Sequence, residues 1–600
     1  MTGSGRASTE SALSRLFVGA RAAKSVVGFS LPGGRPLFRS GQPADTLYFV
    51  RSGRLGVYRE STDEPAHLLG VITPGEPAGE MSLIAGTPHS ATVTALRDSD
   101  ILALSRHDFF EEARRRPDVM AELARLMIQR ARQAPSASGV GRPSVFGFVG
   151  VSQGVDARGL AQEVAQAVSE LGVTIAVIGS EGAHQTPEWF SGIERDHEVV
   201  LMAADVQEPD WSHQCVRQVD RLMLIARADT PPPRSPPVVA QTALQMHRQT
   251  DLILMQPTDA VRPTGSDAWI DCVRAVRHFH VRRSPRDIQR IARVVSGTSV
   301  GLALSGGGAR AYAHVGVIRA FREAGHPIDF IAGASMGAVI AAGYAAGWDD
   351  QEITDRVTAA FVASNPLGDL TFPMVAMTRG LTVKSRLRQH FGDLEIPDLW
   401  LPFFCTSSNL TTAQTFTHHR GKVRKALRAS VALPGILPPV VMGQDVLVDG
   451  AVMCNLPTEL MRNWHRGTVV GVDVAMAEGL NAADIASPPS FTRWLLSGEW
   501  RHGPPIVSIL IRAATAPTAR ETTMAHAACD LLIAPKIDGV ELRDWRAFEP
   551  AVSAGYQATK AALERLDRPL SRLRRAPDVD DPMLGDMTPI VEAVRSFGPE

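Results

Sequence analysis

The sequence predicts a multidomain chain: an N-terminal β-barrel of the jelly-roll type with helices attached, a middle α/β region, and a C-terminal α/β unit on a mostly parallel sheet. Three observations carry this prediction. The 600 residues exceed a single domain at about 100–200 residues each, and a composition 44% apolar and 21% charged is that of a folded chain. Short strand-like runs fill the stretch before His107, where the apolar spacing changes to the 3.6-residue period of a helix. From Val145 onward, apolar runs of strand length alternate with helical stretches, the pattern of parallel α/β layers.

Residues 1–36 are read as an N-terminal extension and 37–135 as the barrel. Leu47-Tyr48-Phe49-Val50 and Leu55-Gly56-Val57-Tyr58 flank the turn Arg51-Ser52-Gly53-Arg54, which predicts a β-hairpin. Further strands are expected at His67–Ile72, Ala91–Leu96 and Asp100–Leu104, close enough in sequence for a small barrel. Phe109, Phe110, Met120, Leu123, Leu126 and Met127 then fall on one helical face. Ala134–Pro143 reads as a linker. The intermediate region, 144–290, has strands at Val145–Val151, Val173–Ile178, Glu198–Ala203, Arg221–Ala226 and Leu252–Met255, with a proline-rich loop at Pro231–Pro237. The last α/β unit spans 299–575 and opens on the strand Val300–Leu304; 576–600 is a tail.

The formal charge of −1, from 62 basic and 63 acidic side chains, gives no global field for nucleic acid, and none is expected as a partner. Five cysteines without a C-x-x-C pair suit a reducing compartment, with no disulfide framework and no zinc. The first residues lack a secretion signal. The longest apolar stretch, Ile331–Gly347, has 17 residues where a bilayer span needs about 20. These readings predict a cytoplasmic protein, with any membrane contact peripheral, at the inner face.

Three segments of the last unit carry chemistry. Val300–Leu304 runs into Ser305-Gly306-Gly307-Gly308-Ala309-Arg310, and glycines there turn backbone N–H groups toward an anion. A nucleotide P-loop is the weaker reading because no Gly-Lys-Ser/Thr follows. Gly333-Ala334-Ser335-Met336-Gly337 lies between a predicted strand and a predicted helix, the setting of a nucleophile elbow, which needs small neighbours on both sides of the serine. Val446-Leu447-Val448-Asp449-Gly450-Ala451 ends a strand on Asp-Gly, which alone would read as a turn. A serine is a weak nucleophile without a base, however, and Asp449 can supply one. An α/β-hydrolase would order its triad Ser, acid, His; His465, His502 and His526 do follow Asp449 but sit in no strand-end motif, so they read as solvated or core histidines. Ser335 as nucleophile, Asp449 as base and Gly306, Gly307 and Gly308 as the oxyanion hole use all three segments and call for no metal or cofactor.

These segments resemble the patatin-like phospholipase family. Its G-G-G-x-R/K-G loop matches Gly306, Gly307, Gly308 and Arg310; its G-x-S-x-G elbow matches Gly333, Ser335 and Gly337; its D-G-G/A motif matches Asp449, Gly450 and Ala451. Ala429–Pro439 is also similar to a family segment, so the match covers about 300–470. Ala311 stands where the family usually has glycine. The resemblance implies hydrolysis of phospholipid or lysophospholipid acyl esters through an acyl-enzyme. Arg310 either meets a lipid phosphate or braces the loop, and bracing is the preferred reading.

Residues 37–130 resemble a cyclic-nucleotide-binding domain, and Gly79–Thr92 its phosphate-binding cassette. By that resemblance Gly79, Glu80, His89 and Ser90 form the nucleotide site, Glu80 taking the ribose hydroxyl. His89 occupies the place of the phosphate-gripping arginine. Losing one charge-assisted contact of about 1.5–3 kcal/mol weakens binding about ten- to a hundredfold or more, so weak or absent cyclic-nucleotide binding is expected. Gly150–Asp156 resembles a phosphate loop but lacks its lysine, and reads as structural. Together the three parts resemble the neuropathy-target-esterase-like lysophospholipases, which are often membrane-attached. Phe361–Leu370, Phe372–Met377 and Trp400–Phe404 are the apolar segments that could meet lipid. A second reading leaves the hydrolase fold idle and makes the chain a signalling or scaffold protein acting through the barrel.

Overall fold

A computed structural model describes residues 25–59, 67–132, 144–245, 249–363, 366–372, 374–475, 519–542 and 544–573. Two compact units emerge, one from residues up to 253 with 270–276, the other from 254–269 with 277–575. The expected linker at Ala134–Pro143 lies outside the described residues, as do His502 and the 576–600 tail.

In the first unit, the N-terminal strands form two four-stranded sheets. One runs in the order Val26–Leu31, Ser99–Ser105, Thr46–Ser52, Pro77–Ala78; the other runs Pro36–Phe38, Thr92–Ala95, Leu55–Arg59, His67–Ile72. Every pairing is antiparallel. The strand Val26–Leu31 stands within the stretch read as an extension. The hairpin expected at 47–58 does not form: Thr46–Ser52 and Leu55–Arg59 belong to opposite sheets. Gly53 explains the crossing. Its φ is 91°, and an added Cβ would fall 2.1 Å from Ser99 Oγ, which accepts the Arg54 N–H at 3.1 Å. The turn is therefore pressed against the facing strand and feeds the chain across the sandwich.

Alternation along Thr46–Ser52 serves two cores. Val50 joins Leu55, Val93 and Ile101 between the sheets. Leu47 and Phe49 pack with Phe109, Val119 and Leu123 of the helices Arg106–Arg115 and Pro117–Arg132. The expected single helical face is broken at Arg116, because Pro117 restarts the helix at its first turn. The intermediate region follows as a sheet in which Ile175–Ile178, Val199–Ala204, Val145–Gly150 and Arg221–Arg227 neighbour in that order and run parallel; Val199–Ala204 and Val145–Gly150 are buried throughout, while the outer strand Ile175–Ile178 is half-buried.

Among the described residues, the second unit is built on an eight-stranded sheet. Phe403–Asn409, Phe330–Ala334, Val300–Leu304, Thr468–Val472 and Leu531–Ile533 are parallel neighbours in that order. Asp445–Asp449, Val440–Met442 and Gln414–His418 add antiparallel strands at the Phe403–Asn409 side. The stretch Ile331–Gly347 is the central strand Phe330–Ala334 and the helix Ser335–Ala345. Apart from Ser335 that helix is buried throughout, as a helix apolar on every side must be. Among the described residues no helix is long and apolar enough to cross a membrane.

Candidate active site

The strand Phe330–Ala334 delivers Ser335 at its end, and the helix begins on the serine itself. Ser335 has φ 51°, a left-handed conformation that non-glycine residues adopt at a cost of about 1–2 kcal/mol. The surroundings enforce it. A Cβ on Gly333 would lie 2.6 Å from Ala338 N, and one on Gly337 would lie 2.4 Å from Ser305 O, so strand, elbow and helix close only with glycine at both places. The Ser335 N–H donates to Ser430 Oγ at 3.0 Å, which ties the elbow to the end of the helix Val423–Ser430.

Ser335 Oγ donates to Asp449 Oδ2 at 2.7 Å. Asp449 ends its strand, with its N–H held by Ala432 O at 2.9 Å and its Oδ1 accepting the Ala451 N–H at 2.9 Å. Gly450 is required here as well, since a Cβ would sit 2.4 Å from Thr406 O. Burial pushes the Asp449 carboxyl up to about 7, against the bonds from Ala451 and Ser335, which favour the carboxylate. A carboxylate that takes up a proton near neutrality, in contact with a serine hydroxyl, is suited to general-base work.

The glycine loop differs from the expectation of three consecutive oxyanion donors. The Gly306 N–H is directed to Asn455, at 3.0 Å from Oδ1 and 3.3 Å from the carbonyl O. Gly307 and Gly308 follow, Gly308 with φ 55° and its Cα face against Leu542 O. Arg310 is a brace: Nε donates to Val474 O at 3.0 Å, and Nη1 to Ile537 O at 2.8 Å and Val540 O at 3.1 Å. Ala311 lies buried in a 3-10 turn without a positive φ, so alanine fits where the family usually has glycine. Asn455 and Ser430 are the site residues that the sequence motifs do not point to by chemistry. Ser430 lies inside the segment Ala429–Pro439, and Asn455 lies six residues beyond Asp449. His465 is buried, accepts the Gly467 N–H at 3.1 Å and stacks on Phe330, as a core histidine does. His526 pairs with Asp473 at 2.9 Å.

Two of the four expected cassette residues, Glu80 and His89, are engaged by other side chains of the barrel. Gly79 has φ 84° and opens the short helix Glu80–Ala85. Glu80 is buried and its Oε1 accepts Arg130 Nη1 at 2.6 Å. His89 is buried and stacks on Phe38, with ring centroids 3.7 Å apart and planes 11° apart; burial lowers its pKa, with Asp45 opposing. Ser90 beside it is exposed. In the intermediate region the start of the helix Ala157–Glu170 is capped by carboxylates: Asp156 accepts the Gly159 N–H and Asp205 the Ala157 N–H, each at 2.7 Å. A phosphate bound there would meet two negative charges.

Family models match three stretches of the chain: a cyclic nucleotide-binding domain over 29–116, a neuropathy target esterase family P-loop-like domain over 148–299, and a patatin-like phospholipase over 302–462. A neuropathy target esterase (NTE) family protein of Mycobacterium tuberculosis is 32% identical over 565 residues, 91% of this chain and 93% of its own. Patatin-like phospholipase domain-containing protein 6 of Homo sapiens is 27% identical over 605 residues, 88% of this chain and 44% of its own. Among solved structures, the catabolite activator protein of Thermus thermophilus is 34% identical, covers 20% of this chain and 58% of its own, and gives a TM-score of 0.18.

Proposed function

The chain belongs to the neuropathy target esterase family of patatin-like phospholipases, and from that premise we propose that it hydrolyses acyl esters of lysophospholipids or phospholipids through Ser335 and Asp449. Ser335 Oγ attacks the acyl carbonyl while its proton passes to Asp449 Oδ2. The tetrahedral oxyanion is received by the Gly307 and Gly308 N–H groups, and each such donor is worth about 10²–10³ in rate. Gly306 contributes indirectly, by fixing the loop to Asn455. Collapse breaks the ester C–O bond, the departing alcohol takes the proton from Asp449, and the acyl group remains on Ser335. Asp449 then accepts a proton from water, which attacks the acyl-enzyme; collapse breaks the Ser335 Oγ–acyl bond, Asp449 returns the proton to Ser335 Oγ, and the fatty acid leaves.

The observation that carries this reading is the 2.7 Å hydrogen bond from Ser335 Oγ to a buried carboxyl held at about 7. It favours a working dyad over an idle fold, since strain at Ser335 and desolvation of Asp449 both cost stability. The engagement of Glu80 by Arg130 and of His89 by Phe38 supports a structural role for the barrel in place of nucleotide sensing. The reaction is tested by incubating the purified chain with a lysophospholipid and titrating the released fatty acid. Hydrolysis by the intact chain that falls about 10³-fold or more in Ser335→Ala is expected; equal rates would refute the proposal.

A further inference from the structure

Large apolar side chains are exposed unevenly in this molecule. Leu370, Phe372, Met374, Val375 and Leu381 are 54%, 80%, 83%, 70% and 55% exposed, five within twelve residues. Single exposed apolar residues need no explanation, whereas a contiguous group of them does. The other apolar segments named from sequence behave differently: Phe361 and Trp400–Phe404 are buried in the core.

The exposed group sits on a tied hairpin. The Thr371 N–H donates to Met377 O at 2.9 Å, and Leu370 and Thr378 form a β-bridge at its base. Ala376 and Thr378 are buried, so the hairpin is rooted while its tip projects. Its root is hydrogen-bonded to the segment that frames the dyad: Met377 N–H to Gly435 O at 2.9 Å, Thr378 N–H to Ile436 O at 3.1 Å, and Thr378 Oγ1 to Ile436 O at 2.7 Å. In that same segment Ser430 holds the Ser335 N–H and Ala432 holds the Asp449 N–H. From Leu370 to Phe391 the chain carries Arg379, Lys384, Arg386 and Arg388 and no acidic residue, although the whole chain is at −1; the neighbouring Asp369 carboxylate accepts the Leu381 and Thr382 N–H groups at the hairpin's end.

We propose that the Leu370–Leu381 hairpin inserts Phe372, Met374 and Val375 into the surface of a lipid bilayer, with the basic side chains beside it meeting anionic headgroups. The inference rests on the reading of the chain as a lipid esterase, because an apolar tip wired to the nucleophile's own framework brings the dyad to the interface where its substrate resides. Charge complementarity selects an anionic lipid face as the occupant, and apolar insertion supplies the larger share of the binding.

Flotation of the full chain with vesicles of phosphatidylcholine, alone and with phosphatidylglycerol, tests this. The intact chain is expected to float with both, more with phosphatidylglycerol, and less as salt rises. F372S/M374S/V375S is expected to lower the vesicle partition coefficient about tenfold or more. F372L/M374L/V375L, which keeps the apolar surface, is expected to float like the intact chain. Fluorophosphonate labelling of the serine variant at the intact rate shows that its fold survives. An intact chain that labels but does not float, or a serine variant that floats unchanged, overturns the docking and leaves the esterase reading standing. A chain that floats but does not label supports the docking and removes the esterase reading. A dimer that dissociates on F372S/M374S/V375S without any flotation assigns the tip to a second copy and overturns the proposal.

Discussion

Burial holds the Asp449 carboxyl at about 7, so this residue changes charge near neutral pH, with opposite consequences for rate and for stability. The base must be ionised, so kcat/KM should fall about tenfold per pH unit below about 7 and level off above it. For stability, the folded pKa lies above the unfolded value of 3.8, so the proton is bound more tightly in the folded state. The group therefore lowers stability progressively as pH rises from about 4 to about 7, and by a constant amount above that. Asp449→Asn should lose activity about 10³-fold or more, and its stability gain over the intact chain should grow by about 2–3 kcal/mol between pH 5 and pH 8. Thermal melts at the two pH values check the sign. Ser335 carries a separate strain at φ 51°. Ser335→Gly should be more stable than Ser335→Ala by about 1 kcal/mol, both variants being inactive.

At the scale of elements, the glycine loop is placed by a side chain from beyond the aspartate strand. Asn455→Ala removes the Oδ1 acceptor of the Gly306 N–H while leaving nucleophile and base untouched. It should lower kcat about 10–100-fold with KM little changed, as expected for loss of transition-state positioning; steady-state kinetics read the split. In the barrel, calorimetry with cyclic AMP or cyclic GMP at micromolar protein should show no binding, because Glu80 is paired with Arg130 and His89 is stacked on Phe38. Submicromolar binding would show that these contacts open. The elbow and the Asp-Gly strand end were legible in the sequence because each is a local string whose chemistry demands particular neighbours. Asn455, Ser430 and Arg130 were not, because their contacts span 149, 95 and 50 residues and leave no local pattern. The missed crossing at Gly53 has the same origin. Alternation and a glycine turn specify two strands, but it is Ser99, 46 positions away, that denies them each other as partners.

Within the first unit, the barrel and the intermediate region are joined by buried charge. Arg97 makes a two-pronged contact with Glu194, both distances 2.7 Å, and lies 3.1 Å from Asp220, which is also 3.2 Å from Arg54. Burial alone would raise the Asp220 pKa, but Arg97 and Arg54 hold it below the usual carboxylate range. Asp220→Ala takes one carboxylate from two buried guanidinium groups and should destabilise this unit by about 3–5 kcal/mol, seen as a lower melting temperature. Ser335 lies in the other unit, so its labelling at room temperature should persist. The chain's near-zero net charge gives no long-range attraction to any lipid, so the proposed contact falls to the apolar hairpin whose root is bonded to Gly435 and Ile436. All of this turns on whether Ser335 is an activated nucleophile. The most direct measurement is to treat the intact chain with a fluorophosphonate and map the adduct by peptide mass spectrometry. One adduct on Ser335, absent in Ser335→Ala and in Asp449→Asn, is the predicted result. A folded chain that takes no label, or takes it on another serine, would contradict the account.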